Sequence, residues 1–194
     1  MITTIAIIGS HGAGKTTIGR ALSVALGIRF DEEIGARLRV AAQARDESAH
    51  AIAPQREFDL LVEQLELQRD QDAETPRVVE TWHPGNAAYA LERNGDDYCV
   101  RAAMRAAQRT RTTLVVPLYV SKQVARARLS ERGAPPEDLV QFFLRVGRRA
   151  TQLAAEWGLP MIEPICTDSV SIQDVVDRVA AHVHDTNLGR GSQR

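Results

Sequence analysis

Cysteine is scarce in this chain of 194 residues: Cys99 and Cys166 stand far apart and form no C-x-x-C pair. That excludes a disulfide framework and a thiolate metal site, and it fits a reducing compartment. Lysine is equally rare, with Lys15 and Lys122 alone among 24 basic residues. Neither charge dominates, and a formal net charge of −1 leaves no global basic field to hold nucleic acid. Long apolar runs are missing too. The N-terminal run has no basic segment before it and ends at Ile8, too short for a signal or a membrane span. The expectation is a cytoplasmic protein that begins inside its fold and has neither membrane nor nucleic acid as partner.

What is present is ordinary in amount and regular in order. Hydrophobic residues make up 44% of the chain, enough at this length to bury a core without staples. Ile2 to Ile8 is β-branched and ends in glycine, as a strand buried on both faces should. Lys15 to Leu26 places Ile18, Leu22 and Leu26 near helical spacing and stops at Gly27. Ile28 to Phe30 predicts a second strand, with a helix after it to about Ala44. Pro54 opens a helix to about Gln71, Val78 to Glu80 is a strand, and Pro84 opens a helix to about Arg93. Asp96 caps a helix through Arg109. Leu114 to Val120 reads as a strand made irregular or peripheral by Pro117. Helices over 121–132 and 137–157 flank a loop, a strand over 159–165 is interrupted by Pro164, and a helix from Ser171 to about His184 closes the chain. This alternation predicts an α/β fold: a parallel sheet of about five strands with helices on both faces. A single domain is expected over 1–184, with 185–194 as a disordered tail because it holds almost no apolar side chains.

Gly9, Ser10, His11, Gly12, Ala13, Gly14, Lys15 and Thr16 satisfy G-x-x-x-x-G-K-[ST] between a strand and a helix, with Thr17 next in line. Glycine lets the backbone turn its amides inward where a Cβ would clash, and the helix aims its positive end at an anion. Lys15 is expected to reach the β- and γ-phosphates of ATP, and the Thr16 hydroxyl to ligate Mg²⁺.

The run from Gly9 to Thr17 resembles that of P-loop nucleotide and nucleoside kinases, particularly the thymidylate-kinase-like group. The segment from Arg77 to Tyr89 is similar to that group's strand ending in an acid and followed by a helix. The segment from Leu118 to Gly133 is similar to its strand and helix leading into an arginine-bearing lid, here over about 126–149. The resemblance implies a three-layer P-loop sandwich and phosphoryl transfer from ATP to a nucleoside or nucleoside monophosphate. One departure stands out. Thymidylate kinases carry Asp-Arg after the third strand and deoxynucleoside kinases Glu-Arg, whereas Glu80 and Thr81 stand here. The missing arginine would contact substrate phosphate, so either the acceptor differs or His83 replaces it.

The other candidates follow from position. Glu80, at the carboxyl end of a buried strand, can orient Mg²⁺ through water or accept the acceptor's proton, or merely cap a helix. Asp31, Glu32 and Glu33 follow the second strand at the same edge; one can bind an acceptor hydroxyl, with Glu32 as a base, or all three simply begin a helix. Arg126 and Arg128 are assigned to the nucleotide, and Arg132, nearest the lid loop, to transition-state charge. Arg145, Arg148 and Arg149 either close from the other side or face solvent. Arg37 and Arg56 are candidates for an acceptor phosphate. Phe58, Trp82 and Tyr89 either stack on a base or belong to the core. His83 is a phosphate ligand or an N-cap, and His11 faces the triphosphate or solvent. Two alternatives to a nucleotide kinase stay open: a shikimate- or gluconate-type metabolite kinase, and a nucleotide-sensing module. No Asn-Lys-x-Asp or Leu-Ser-Gly-Gly run supports a GTPase or a transporter ATPase. The partner expected is a small-molecule nucleotide or metabolite acceptor, and a homodimer stays open as the assembly.

Overall fold

The computed structural model describes residues 2–44, 55–94, 97–110, 113–131, 133 and 135–189. The strands are β1 (Thr4–Gly9), β2 (Arg29–Asp31), β3 (Arg77–Glu80), β4 (Thr113–Tyr119) and β5 (Ile165–Cys166). They form one parallel sheet in the order β2-β3-β1-β4-β5. Helices α1 (Lys15–Leu26), α2 (Ile34–Ala44), α3 (Gln55–Gln71) and α4 (Trp82–Asn94) precede α5 (Asp97–Arg109), α6 (Lys122–Ser130), α7 (Glu137–Glu156) and α8 (Ile172–Gly189).

β1 is central, so both of its faces must be apolar. Ile5 and Ile7 join Ile18 and Leu22 of α1 and Val176 and Val179 of α8 in one core. Ala6 and Ile8 point the other way, to Ala88 of α4, Ala103 of α5 and Val146 and Ala150 of α7. A small cluster of Ile34, Phe58 and Val62 joins α2 to α3. The expected α/β fold is present: a five-stranded parallel sheet between two helical layers. Among the described residues no helix is long and apolar enough to cross a membrane.

Pro117 is a correction. β4 is internal and pairs on both sides, with Pro117 opposite Ile8. In a parallel ladder successive residues turn their N–H and C=O groups to opposite neighbours. Val115 bonds towards residues 160 and 162, and Tyr119 accepts from Thr167, so Pro117 turns its missing N–H to the β5 side. There the adjoining chain carries Pro164 and pairing resumes only at Leu118 with Ile165. The long final strand expected over 159–165 is therefore two residues plus a bridge from Met161 to Val115. α8 extends to Gly189, five residues into the expected tail. Pro54, Asp96 and residues 190–194 lie outside the described residues.

Candidate active site

β1 ends at Gly9, where a Cβ would sit 2.1 Å from the Leu118 carbonyl oxygen. Gly12 and Gly14 adopt φ of 80° and 84°, the left-handed region that glycine enters without strain. Gly14 also holds the N-cap position of α1, so no capping side chain competes for the first-turn amides. The loop is braced from behind. Arg128 donates to Gly12 O at 2.9 Å, Thr167 Oγ1 at 3.1 Å and Thr167 O at 2.6 Å. On the far side α7 lays its backbone against the loop at Gly147, where a Cβ would stand 2.5 Å from Ser10 N.

Lys15 is buried; its Nζ donates to Ser10 O at 3.2 Å and lies 3.9 Å from Glu80 Oε1. The Thr16 hydroxyl meets both Glu80 oxygens at 2.9 and 3.0 Å. A hydroxyl facing a carboxylate is a pair of hard oxygens, as Mg²⁺ takes when phosphates and water complete its shell. These residues fit the ion.

Two buried carboxylates sit here with opposite tendencies. Burial raises Glu80, and Glu33 adds to the rise; Lys15 and the Thr16 hydroxyl only partly offset it. Burial would raise Glu33 too, but Lys15, His11, Arg39 and the Thr81 hydroxyl together hold it below the usual carboxylate range. Glu33 accepts from Thr81 Oγ1 at 2.9 Å and Arg39 at 3.1 Å. Thr81 and Trp82, following Glu80, have φ of 73° and 53°. Consecutive left-handed non-glycine residues are uncommon, and such strain collects at functional sites. The kink starts α4 at Trp82, two residues before Pro84, and turns Thr81 onto Glu33.

His11, Lys15, Thr16, Glu32, Glu33 and Glu80 line a cavity of about 220 Å³. A neighbouring cleft of about 280 Å³ is bordered by Gly12, Thr17, Ile18, Arg128, Val170 and Ile172. The phosphate loop, Glu32, Glu33 and Glu80 are thus brought together. His11 packs its ring 4.1 Å from that of Phe143 at the cavity wall. Arg126 is exposed and pairs with Glu137, away from the loop. Arg132 lies outside the described residues.

Several expected acceptor contacts go elsewhere. Trp82 and His83 have no exposed surface. The Trp82 indole donates to Asp70, and His83 sits between Glu63 at 2.6 Å and Asp70 at 3.0 Å. Burial would lower the imidazole, but those two carboxylates push it up to about 10. His83 is an internal cation, and no arginine substitute. Asp31 pairs with Arg29 and Arg77 in the sheet edge. Arg37 lines a separate groove between α2 and α3, and Arg56 is exposed on α3. Arg145 and Arg149 pair with Glu92. In their place come groups the sequence did not mark: Arg39 on Glu33, and Arg93 on Asp59 over the Tyr89 ring. Neither arginine falls in a motif, and only the folding of α2 and α4 around Phe58 brings them near.

The family model described as AAA domain matches residues 4–163. The chain belongs to that family. Among solved structures, the YorR protein of Bacillus subtilis, in complex with phosphorylated GDP, aligns at TM-score 0.66 and 16% identity over 94% of this chain and 96% of its own. Deoxyadenosine kinase from M. mycoides with bound dCTP gives 0.62 and 14% over 94% and 99%. Shikimate kinase from Acinetobacter baumannii in complex with shikimate gives 0.59 and 18% over 97% and 96%. These likenesses show the fold of P-loop kinases. No curated protein matches the chain.

Proposed function

We propose that this AAA-family chain is an ATP- and magnesium-dependent phosphotransferase whose acceptor is an unphosphorylated, hydroxyl-bearing molecule of nucleoside size. The observation that carries it is the convergence of Lys15, Thr16, Glu80 and Glu33 on one cavity beside the phosphate loop. The triphosphate lies along residues 9–16, with its base in the cleft between Ile18, Arg128 and Ile172. Lys15 neutralises the β- and γ-oxygens, and Thr16 with Glu80 holds the ion, which draws charge from the transferring group when bound. Glu33, kept ionised and fixed by Thr81 and Arg39, accepts the hydrogen bond of the attacking hydroxyl and orients it.

Charge distribution favours a nucleoside over a nucleoside monophosphate. A phosphate acceptor needs free cations, and here Arg39 is engaged by Glu33 and Arg93 by Asp59. His83, the other cation considered for an acceptor phosphate, is sealed in the core. The deoxyadenosine kinase likeness accords with this acceptor, although its identity is low. ADP release measured across nucleosides and nucleoside monophosphates tests the proposal. Turnover should appear with a nucleoside and vanish in Lys15→Ala; no acceptor-dependent turnover, or turnover with monophosphates alone, sinks it.

A further inference from the structure

A cavity larger than the one beside Lys15 lies on another side of the phosphate loop. A crevice of about 790 Å³ opens between α7, the carboxyl end of β4 and the segment around Met161 and Pro164 that leads into β5. Its size is that of small-molecule sites. Leu118, Val120, Leu144, Met161 and Pro164 form an apolar wall. Charge in the lining is of one sign: Lys122 and Arg148 contribute, and no carboxylate does. Glu137 already binds Lys122. Arg148 is exposed on α7 and has no ion-pair partner among the described residues, so it is the cation at the mouth that stays available.

A second observation comes from the floor. Ser10 is 3% exposed and lines the crevice, and its hydroxyl has no hydrogen-bond partner among the described residues. A buried polar atom without a partner is unfavourable unless something else meets it. Ser10 also belongs to the phosphate loop: its carbonyl receives Lys15 and its amide abuts Gly147. Whatever bonds its hydroxyl therefore touches the loop from behind, through residues that share only Ser10 with the loop itself.

We propose that this crevice binds a small amphipathic anion, its acidic head on Arg148, its apolar body along β4 and a second polar atom on the Ser10 hydroxyl, through which occupancy is conveyed to the phosphate loop. The claim stands apart from the proposed reaction, because neither nucleotide nor acceptor takes part in its test. The probe is anilinonaphthalene sulfonate, an apolar ring pair with one anionic group, titrated by fluorescence into the full chain. Its uncharged relative phenylnaphthylamine is the control. Saturable binding at one equivalent is expected, weakened about tenfold by Arg148→Gln, as loss of a charge-assisted bond implies. Phenylnaphthylamine should bind wild type and Arg148→Gln alike, and Thr151→Trp, which fills the crevice, should exclude both. If Thr151→Trp fails to fold, the exposed Arg148→Gln still decides the case. Nitrogen-15 spectra should show the Ser10 amide shifting with occupancy. Non-saturating fluorescence, equal affinity in Arg148→Gln, or equal loss of the uncharged control overturns the site; an unmoved Ser10 amide at saturation overturns the link to the loop.

Discussion

Lys15 and Glu33 are both buried and both lie beside Glu80, yet their substitutions should read differently. Lys15→Ala removes the one ammonium aimed at the polyphosphate, and turnover should fall about 10²–10³-fold, with weaker nucleotide binding by calorimetry. Glu33→Gln keeps the side chain's volume but loses the carboxylate that orients the acceptor. Turnover should fall about 10²-fold while nucleotide affinity holds. Equal loss of nucleotide binding in both variants would place Glu33 on the phosphate side instead. Lys15 was legible in the sequence because its motif encodes a local geometry of eight consecutive residues. Glu33 was only one of three adjacent acids. What separates it is contact with Thr81, 48 positions away, and with Arg39, and no spacing rule announces either.

At the scale of elements, the kink that begins α4 is the most exacting join. A Cβ on Gly85 would stand 2.4 Å from Thr81 Cγ2. Gly85→Ala should therefore cost about 1–3 kcal/mol and displace the Thr81 hydroxyl from Glu33. Thr81→Ser removes that methyl and keeps the hydroxyl. A double-mutant cycle by urea denaturation should show the Gly85→Ala penalty largely relieved in the Thr81→Ser background, and turnover should recover with it. Additive penalties would mean that the methyl is not the obstacle. Most of the helices and their alternation with strands could be read from periodicity and breakers. Pro84 misplaced the start of α4 because proline favours the first turn, while here Trp82 is drawn inward by Asp70 and takes the helix start with it. Pro117 looked peripheral for a similar reason: sequence shows a missing donor, not the side of the ladder it faces.

Across the whole molecule, Asp70 gathers His83, Arg77, Trp82 and Thr110, and so ties α3 to β3, α4 and the end of α5. His83→Gln leaves buried carboxylates without their cation and should cost about 3–5 kcal/mol near neutral pH. The imidazole's folded value, about 10, lies above its ordinary 6.5, so its contribution is complete below about 6.5 and is lost as pH rises through about 10. Urea melts over that range should show the gap between wild type and His83→Gln narrowing with rising pH. A gap that widened would contradict a charged His83.

The two margins of the sheet carry a consequence for association. β2 has three residues and β5 two, the latter beside Pro164. Margins so brief offer a neighbouring chain almost no free backbone to zip onto. Any self-assembly must then use helical flanks, and intact protein should not seed fibrils by lengthening its own sheet.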